Sequence, residues 1–129
     1  MDNKVVAHLR DGRLIKGTTA NFSPIRDKFH ITMPNGKTAE VLFNQLKALF
    51  FVKRLDGNRS YRETKGLGGA HGVGRKVRCD FSDGEVLAGF TQAYDPTRAG
   101  LFITPSDPKS NNERIFVVTA ATKSVSFLP

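Results

Sequence analysis

The sequence has no tryptophan, one cysteine (Cys79), two methionines and two tyrosines in 129 residues. A lone cysteine excludes a disulfide scaffold within the chain. No stretch approaches the roughly 18 consecutive apolar residues of a membrane span. The opening Met1-Asp2-Asn3-Lys4-Val5 has no apolar run of a secretory leader. A cytoplasmic protein without a membrane span is the expectation. Acidic residues are scarce as well: 12 Asp and Glu stand against 20 Lys and Arg, for a formal charge of +8. With 39% hydrophobic and 25% charged residues, the composition is otherwise that of a folded globular chain rather than a disordered tail.

The positive charge is unevenly placed. Residues 1–55 carry ten Lys and Arg against four Asp and Glu, a net of +6, whereas 56–74 (three against two) and 75–129 (seven against six) contribute +1 each. A basic half beside a nearly neutral one suggests an anionic partner for one face, although a charged surface also serves solubility alone.

The strongest signal is an internal repeat. Shifting the chain by 72 residues superimposes Lys4-Val5 on Lys76-Val77, Asp11-Gly12 on Asp83-Gly84, Gly17 on Gly89, Thr19 on Thr91, Pro24 on Pro96, Arg26 on Arg98 and Ile31-Thr32 on Ile103-Thr104. These are ten identities in 29 ungapped positions, where chance gives roughly two at ordinary composition. After a small insertion Lys47, Leu49 and Phe51 match Lys123, Val125 and Phe127.

Each copy reads as short strands. Val5, Ala7 and Leu9 alternate with Lys4, His8 and Arg10, and Val77, Cys79 and Phe81 repeat the period of two. Asp11-Gly12 and Asp83-Gly84 are hairpin turn dipeptides. Second strands over 13–20 and 85–92 contain Gly17 and Gly89, whose recurrence suggests a sharp bend or bulge. Third strands follow at Phe29–Met33 and Leu101–Thr104, fourth strands at 37–43 and Ile115–Thr119, and fifth strands at 47–53 and 123–128. Five short strands in some 50 residues predict an all-β fold: two tandem five-stranded SH3-like or Sm-like barrels related by internal duplication. The domains are 1–55 and 75–129, joined by a linker at 56–74 with five glycines in its last nine residues. In the fifth strand, Phe50 is apolar where the second copy has Ser126, which marks packing between the copies or a homodimer surface.

Catalytic and cofactor motifs fail one by one. Gly69 to Gly74 has phosphate-loop spacing, but Arg75 stands where lysine is required and a strand follows in place of a helix. His8, His30, His71 and Cys79 lack metal-ligand spacing, and no nucleophile elbow occurs. A non-enzymatic protein without a cofactor or metal is expected.

What remains is binding chemistry. Lys4, His8, Arg10, Arg13, Lys16, Arg26 and Lys28 cluster on the first strands and their loops, a basic strip suited to single-stranded RNA or another polyanion. The second copy replaces His8, Arg13 and Lys16 with Asp80, Glu85 and Ala88. One loop is written twice, as Phe22-Ser23-Pro24-Ile25-Arg26 and Tyr94-Asp95-Pro96-Thr97-Arg98. Its arginines can bind phosphate beside an aromatic ring, or cap loop carbonyls while the aromatic plugs the barrel. The turn-rich stretch 104–114 places Asn111, Asn112 and Arg114 beside an apolar run. With Phe50, these three are candidates for a protein–protein contact.

Two resemblances attach to these residues. Val5-x-x-x-Leu9-x-Asp11-Gly12-Arg13-x-x-x-Gly17, followed by a hydrophobic third strand, resembles the first motif of Sm and Hfq-type RNA-binding barrels. Leu46-Lys47-Ala48-Leu49-Phe50-Phe51-Val52-Lys53 with Asp56-Gly57, and Gly100–Pro105 with Ser110-Asn111-Asn112-Glu113-Arg114-Ile115-Phe116-Val117, resemble an uncharacterised bacterial domain family that also occurs beside PilZ-type signalling domains. That resemblance implies a bacterial protein and identifies no catalytic residue. The expectation is therefore a module whose basic first barrel binds RNA or another polyanion, or else a protein-interaction adaptor in bacterial regulation.

Overall fold

Hairpin chemistry dominates the chain's local structure. A computed structural model describes residues 2–55, 74–107 and 110–129. The first half contains β1 (Asn3–Leu9), β2 (Leu14–Thr19), β3 (Lys28–Thr32), β4 (Thr38–Leu42), a single 3-10 turn (Phe43–Gln45) and β5 (Leu46–Val52). The second half repeats that order: β6 (Arg75–Phe81), β7 (Val86–Thr91), β8 (Gly100–Ile103), β9 (Asn112–Val118), a 3-10 turn (Thr119–Ala121) and β10 (Thr122–Phe127). Among the described residues no helix is long and apolar enough to cross a membrane.

The β1–β2 and β6–β7 turns are built alike. Gly12 and Gly84 hold φ of 94° and 95°, a region that L side chains avoid. The Asp11 and Asp83 carboxylates each accept the backbone N–H two residues on, from Arg13 and Glu85, at 3.0 Å.

The strands form two antiparallel sheets. One has seven strands in the order β4-β3-β2-β1-β5-β9-β8, and the other three in the order β10-β6-β7. A single bridge, Phe90 to Thr104, links β7 to β8. Among the described residues neither half closes into a barrel by strand pairing, because β5 pairs with β9 of the other half instead of with β4. At this strand the two halves, expected as separate barrels, share one sheet. β5 therefore has a neighbour on each edge and is covered on both faces, which its near-continuous apolar run requires. Burial is continuous too: Val5, Phe29, Ile31, Leu46 and Leu49 belong to the same core cluster as Val77, Phe81, Ile103, Ile115 and Phe116.

The start of one strand differs clearly from expectation. β9 begins at Asn112, not Ile115, because Asn112 and Arg114 pair with Val52 and Phe51 of β5. Of the expected linker at 56–74, residues 56–73 lie outside the described residues. Gly74 is described, and a Cβ there would meet the Thr91 carbonyl oxygen at 2.3 Å.

Candidate anion-binding groove

The loop that occurs twice is a turn in both copies. Arg26 N–H donates to the Ser23 carbonyl at 3.2 Å and Arg98 N–H to the Asp95 carbonyl at 3.0 Å. Asp95 also accepts from the backbone and hydroxyl of Thr97, at 2.9 and 2.7 Å, and these bonds hold its carboxyl below the usual range. The aromatic of each loop turns inward. Phe22 packs edge-on against Phe29, Phe116 and Phe51 (centroids 5.1, 5.2 and 6.0 Å), and Tyr94 lies 5.2 Å from Phe127.

With the aromatics packed inward, the loop arginines are left to line a surface groove. Arg10, Arg26 and Arg98 line one groove of about 630 Å³, with Pro24, Ile25, Phe43 and Val118 as apolar wall and Asp27 as the acidic member. Arg98 lies 3.8 Å from Asp95. Arg10 and Arg26 make no ion pair among the described residues. A second groove of about 560 Å³ adjoins it, sharing Pro24, Ile25 and Arg98 and running on to Phe102 and Phe116. Ile25 stands between them at 90% exposure.

The other expected basic residues are spread over several local contacts. Lys4 donates to the Lys53 carbonyl at 3.4 Å, Arg13 pairs with Asp11 at 2.7 Å, and Lys28 lies 3.7 Å from Glu40. Val6 interrupts the outer face of β1, buried beside Phe50, its cross-strand partner on β5. His8 lies on the Phe50 ring at 4.1 Å. Burial pulls the His8 pKa below its ordinary value; Glu85 opposes the shift, while Lys47 and Lys16 add to it. His8, Lys16, Phe50, Asn111 and Asn112 line a smaller groove of about 290 Å³ with Val6 and Leu14. The two sets of expected residues thus meet on this face, whereas Arg10 and Arg26 belong to another.

Two of the expected contact residues have structural partners. The Asn111 side chain accepts from Arg54 N–H at 3.0 Å and donates to the Arg54 carbonyl at 2.9 Å, clamping the end of the first half. Arg114 lies over the rings of Phe51 (4.3 Å) and Phe102 (5.0 Å).

Sequence reasoning missed Lys47 and the participation of Arg98 in a first-half site. Lys47 sits in the apolar run of β5, its side chain 11% exposed, and bonds Glu85 and, at 2.7 Å, Asp83 on the opposite half. Burial disfavours its ammonium, but the two carboxylates more than offset this and hold the pKa above the ordinary lysine value. A lone lysine inside Leu46–Val52 is the signal that could have found it. Cys79 is buried and its thiol is pushed up to about 12, mainly by desolvation, so it is a core residue and no nucleophile at neutral pH. Among the described residues no three His, Cys, Asp or Glu side chains lie together as a metal site would need; His71 falls outside them.

Comparison with curated proteins gave no match, and comparison with solved structures gave none either. A family model does match, over residues 1–129. The chain belongs to that family, the family of unknown function DUF6982.

Proposed function

We propose that this protein is a non-catalytic cytoplasmic binding module that holds a polyanion, most concretely single-stranded RNA, in the groove of Arg10, Arg26 and Arg98. The observation that carries the reading is the lining of one partly apolar groove by three arginines, two of them without an ion-pair partner among the described residues. Guanidinium forks bind phosphate oxygens, and the adjoining Phe43, Ile25 and Pro24 surface accepts bases by stacking and apolar contact. The reading includes a finer view of the fold, in which the halves are duplicated copies of an open SH3-like or Sm-like barrel. Equal element order, equal hairpin turns and the shared glycine positions support it. The groove then lies where the two copies meet, and Arg98 brings the second copy into binding.

Titration of single-stranded RNA by fluorescence anisotropy tests this. Three phosphate contacts predict a loss of about 20-fold in affinity between about 50 and 200 mM salt. Arg10→Ala with Arg26→Ala should weaken binding and reduce the slope of log affinity against log salt by about 1.4. Absence of binding at about 50 mM salt overturns the reading. It would favour the second one, a protein contact at the same groove, for which the 90% exposure of Ile25 is the supporting observation.

A further inference from the structure

The internal join between the halves has a property that the ends of the chain share. It pairs β5 with β9 in the register Ala48–Val117, Leu49–Phe116, Phe50–Ile115 and Phe51–Arg114. In the repeat, β5 corresponds to β10 through Lys47/Lys123, Leu49/Val125 and Phe51/Phe127. Each fourth strand is followed by a 3-10 turn, at Phe43–Gln45 and Thr119–Ala121, so β9 corresponds to β4. The join thus unites the fifth strand of one half with the fourth strand of the other. The complementary pair, β10 and β4, lies at the outer edges of the two sheets, and neither has a second strand neighbour among the described residues.

Transferring the internal register to these edges sets Ser124 opposite Val41, Val125 opposite Glu40, Ser126 opposite Ala39 and Phe127 opposite Thr38. The hydrogen-bonding phase of the edges agrees. Leu128 N–H donates to the Lys76 carbonyl, so the alternation of an antiparallel ladder turns the polar groups of Val125 and Phe127 outward. On β4, Met33 N–H donates to the Lys37 carbonyl and Phe43 N–H to the Asp27 carbonyl, which turns Thr38 and Glu40 outward. Outward groups meet outward groups in the transferred register.

We propose that β10 of one chain pairs antiparallel with β4 of a second copy in this register, so that the protein assembles head to tail. The contact is heterologous, joining two different surfaces of the same molecule. It rests on the reading of the halves as copies and is independent of RNA binding. The side chains make it weaker than the internal join. Where the internal join places Phe22 against Phe116 at 5.2 Å and Phe102 at 5.0 Å from Phe116, the corresponding residues between chains are Tyr94, Glu40 and His30. Where Lys47 bonds Asp83 and Glu85, the corresponding set is Lys123, Asp11 and Arg13, and Arg13 puts a positive charge in the place of Glu85. The assembly therefore dissociates on dilution.

Sedimentation velocity of the full chain over a concentration series, without RNA, tests the proposal. The wild type should gain mass with concentration. Thr38→Pro, at the first residue of β4 and at an N–H the fold does not use, should remain monomeric at every concentration with unchanged circular dichroism. Arg13→Glu supplies the carboxylate that Glu85 provides internally, and should lower the midpoint concentration of assembly about tenfold. Ala39→Cys with Ser126→Cys should yield disulfide-linked oligomers under mild oxidation, which checks the register even if Thr38→Pro fails to fold. A wild type and Arg13→Glu that both stay monomeric to millimolar concentration overturn the proposal. So does an assembly that folded Thr38→Pro leaves intact, or one in which the cysteine pair does not cross-link. Loss of RNA binding with assembly preserved would overturn only the functional reading.

Discussion

Gly17 and Gly89 show how one position can shape both halves. Neither has a positive φ; what each needs is space. A Cβ on Gly17 would lie 2.2 Å from the Thr32 carbonyl oxygen, and on Gly89 2.4 Å from that of Thr104. In both cases the clash is with backbone, which cannot swing aside as a side-chain tip can. These are the places where β2 meets β3 through Thr18 and Thr32, and β7 meets β8 through Phe90 and Thr104. Gly17→Ala or Gly89→Ala should therefore destabilise the protein by about 1–3 kcal/mol, the usual range for overpacking. Urea denaturation checks this, and an unchanged midpoint would show that the strands can part without loss. The paired glycines were legible in the sequence as a repeated signal for a bend. That the bend is a backbone crossing was not, because the opposing carbonyl lies 15 residues away.

At the scale of the element, β5 and β10 show how one pattern takes two forms. Leu46–Val52 is buried nearly throughout because β1 and β9 flank it, whereas Thr122–Phe127 alternates as an edge strand does. The difference between Phe50 and Ser126 was visible from the chain, and Phe50 lies on the strand that pairs with the second half, its ring against His8. The partner strand was not visible: local periodicity encodes which face is buried but not which distant strand lies alongside. For the same reason Asn112-Glu113-Arg114 read as loop, since only pairing with β5 makes them strand. Lys47 fastens this join to the β6–β7 turn. Bonding to Lys47, ahead of the backbone bond from Glu85, holds the Asp83 carboxyl below its ordinary value. A carboxylate so depressed contributes stability that is present above its unfolded pKa of about 3.9 and is lost as pH falls through the lower folded value. Lys47→Met should lower the denaturation midpoint at neutral pH and flatten the acid limb of the stability–pH curve. An acid limb as steep as that of the wild type would contradict the assignment.

For the whole molecule, the buried residues of both halves form one cluster, and β5–β9 carries it across the repeat. A continuous core favours one cooperative transition over two. Leu46→Ala in the first half and Ile103→Ala in the second, both at fully buried positions, should each cost about 2–5 kcal/mol and shift the same single unfolding curve. Calorimetry that resolved two transitions, each moved by only one variant, would instead assign the halves separate stabilities. The candidate groove also exists only at this scale. Arg26 and Arg98 were legible as a repeated motif, but their sharing one groove with Arg10 depends on how the halves are joined. Of the basic strip read from strand periodicity, Arg13 and Lys28 lie in local ion pairs, and Val6 with Phe50 stands between its members on β1.

The β5–β9 join also gives the molecule a direction. Each chain carries one β4 edge and one β10 edge, so in the proposed assembly a row of chains has unlike ends, and a chain blocked at β4 would still offer β10 and stop growth on one side. A row of that proposed kind, if it closed on itself, would count its halves in even numbers only, since every chain brings two.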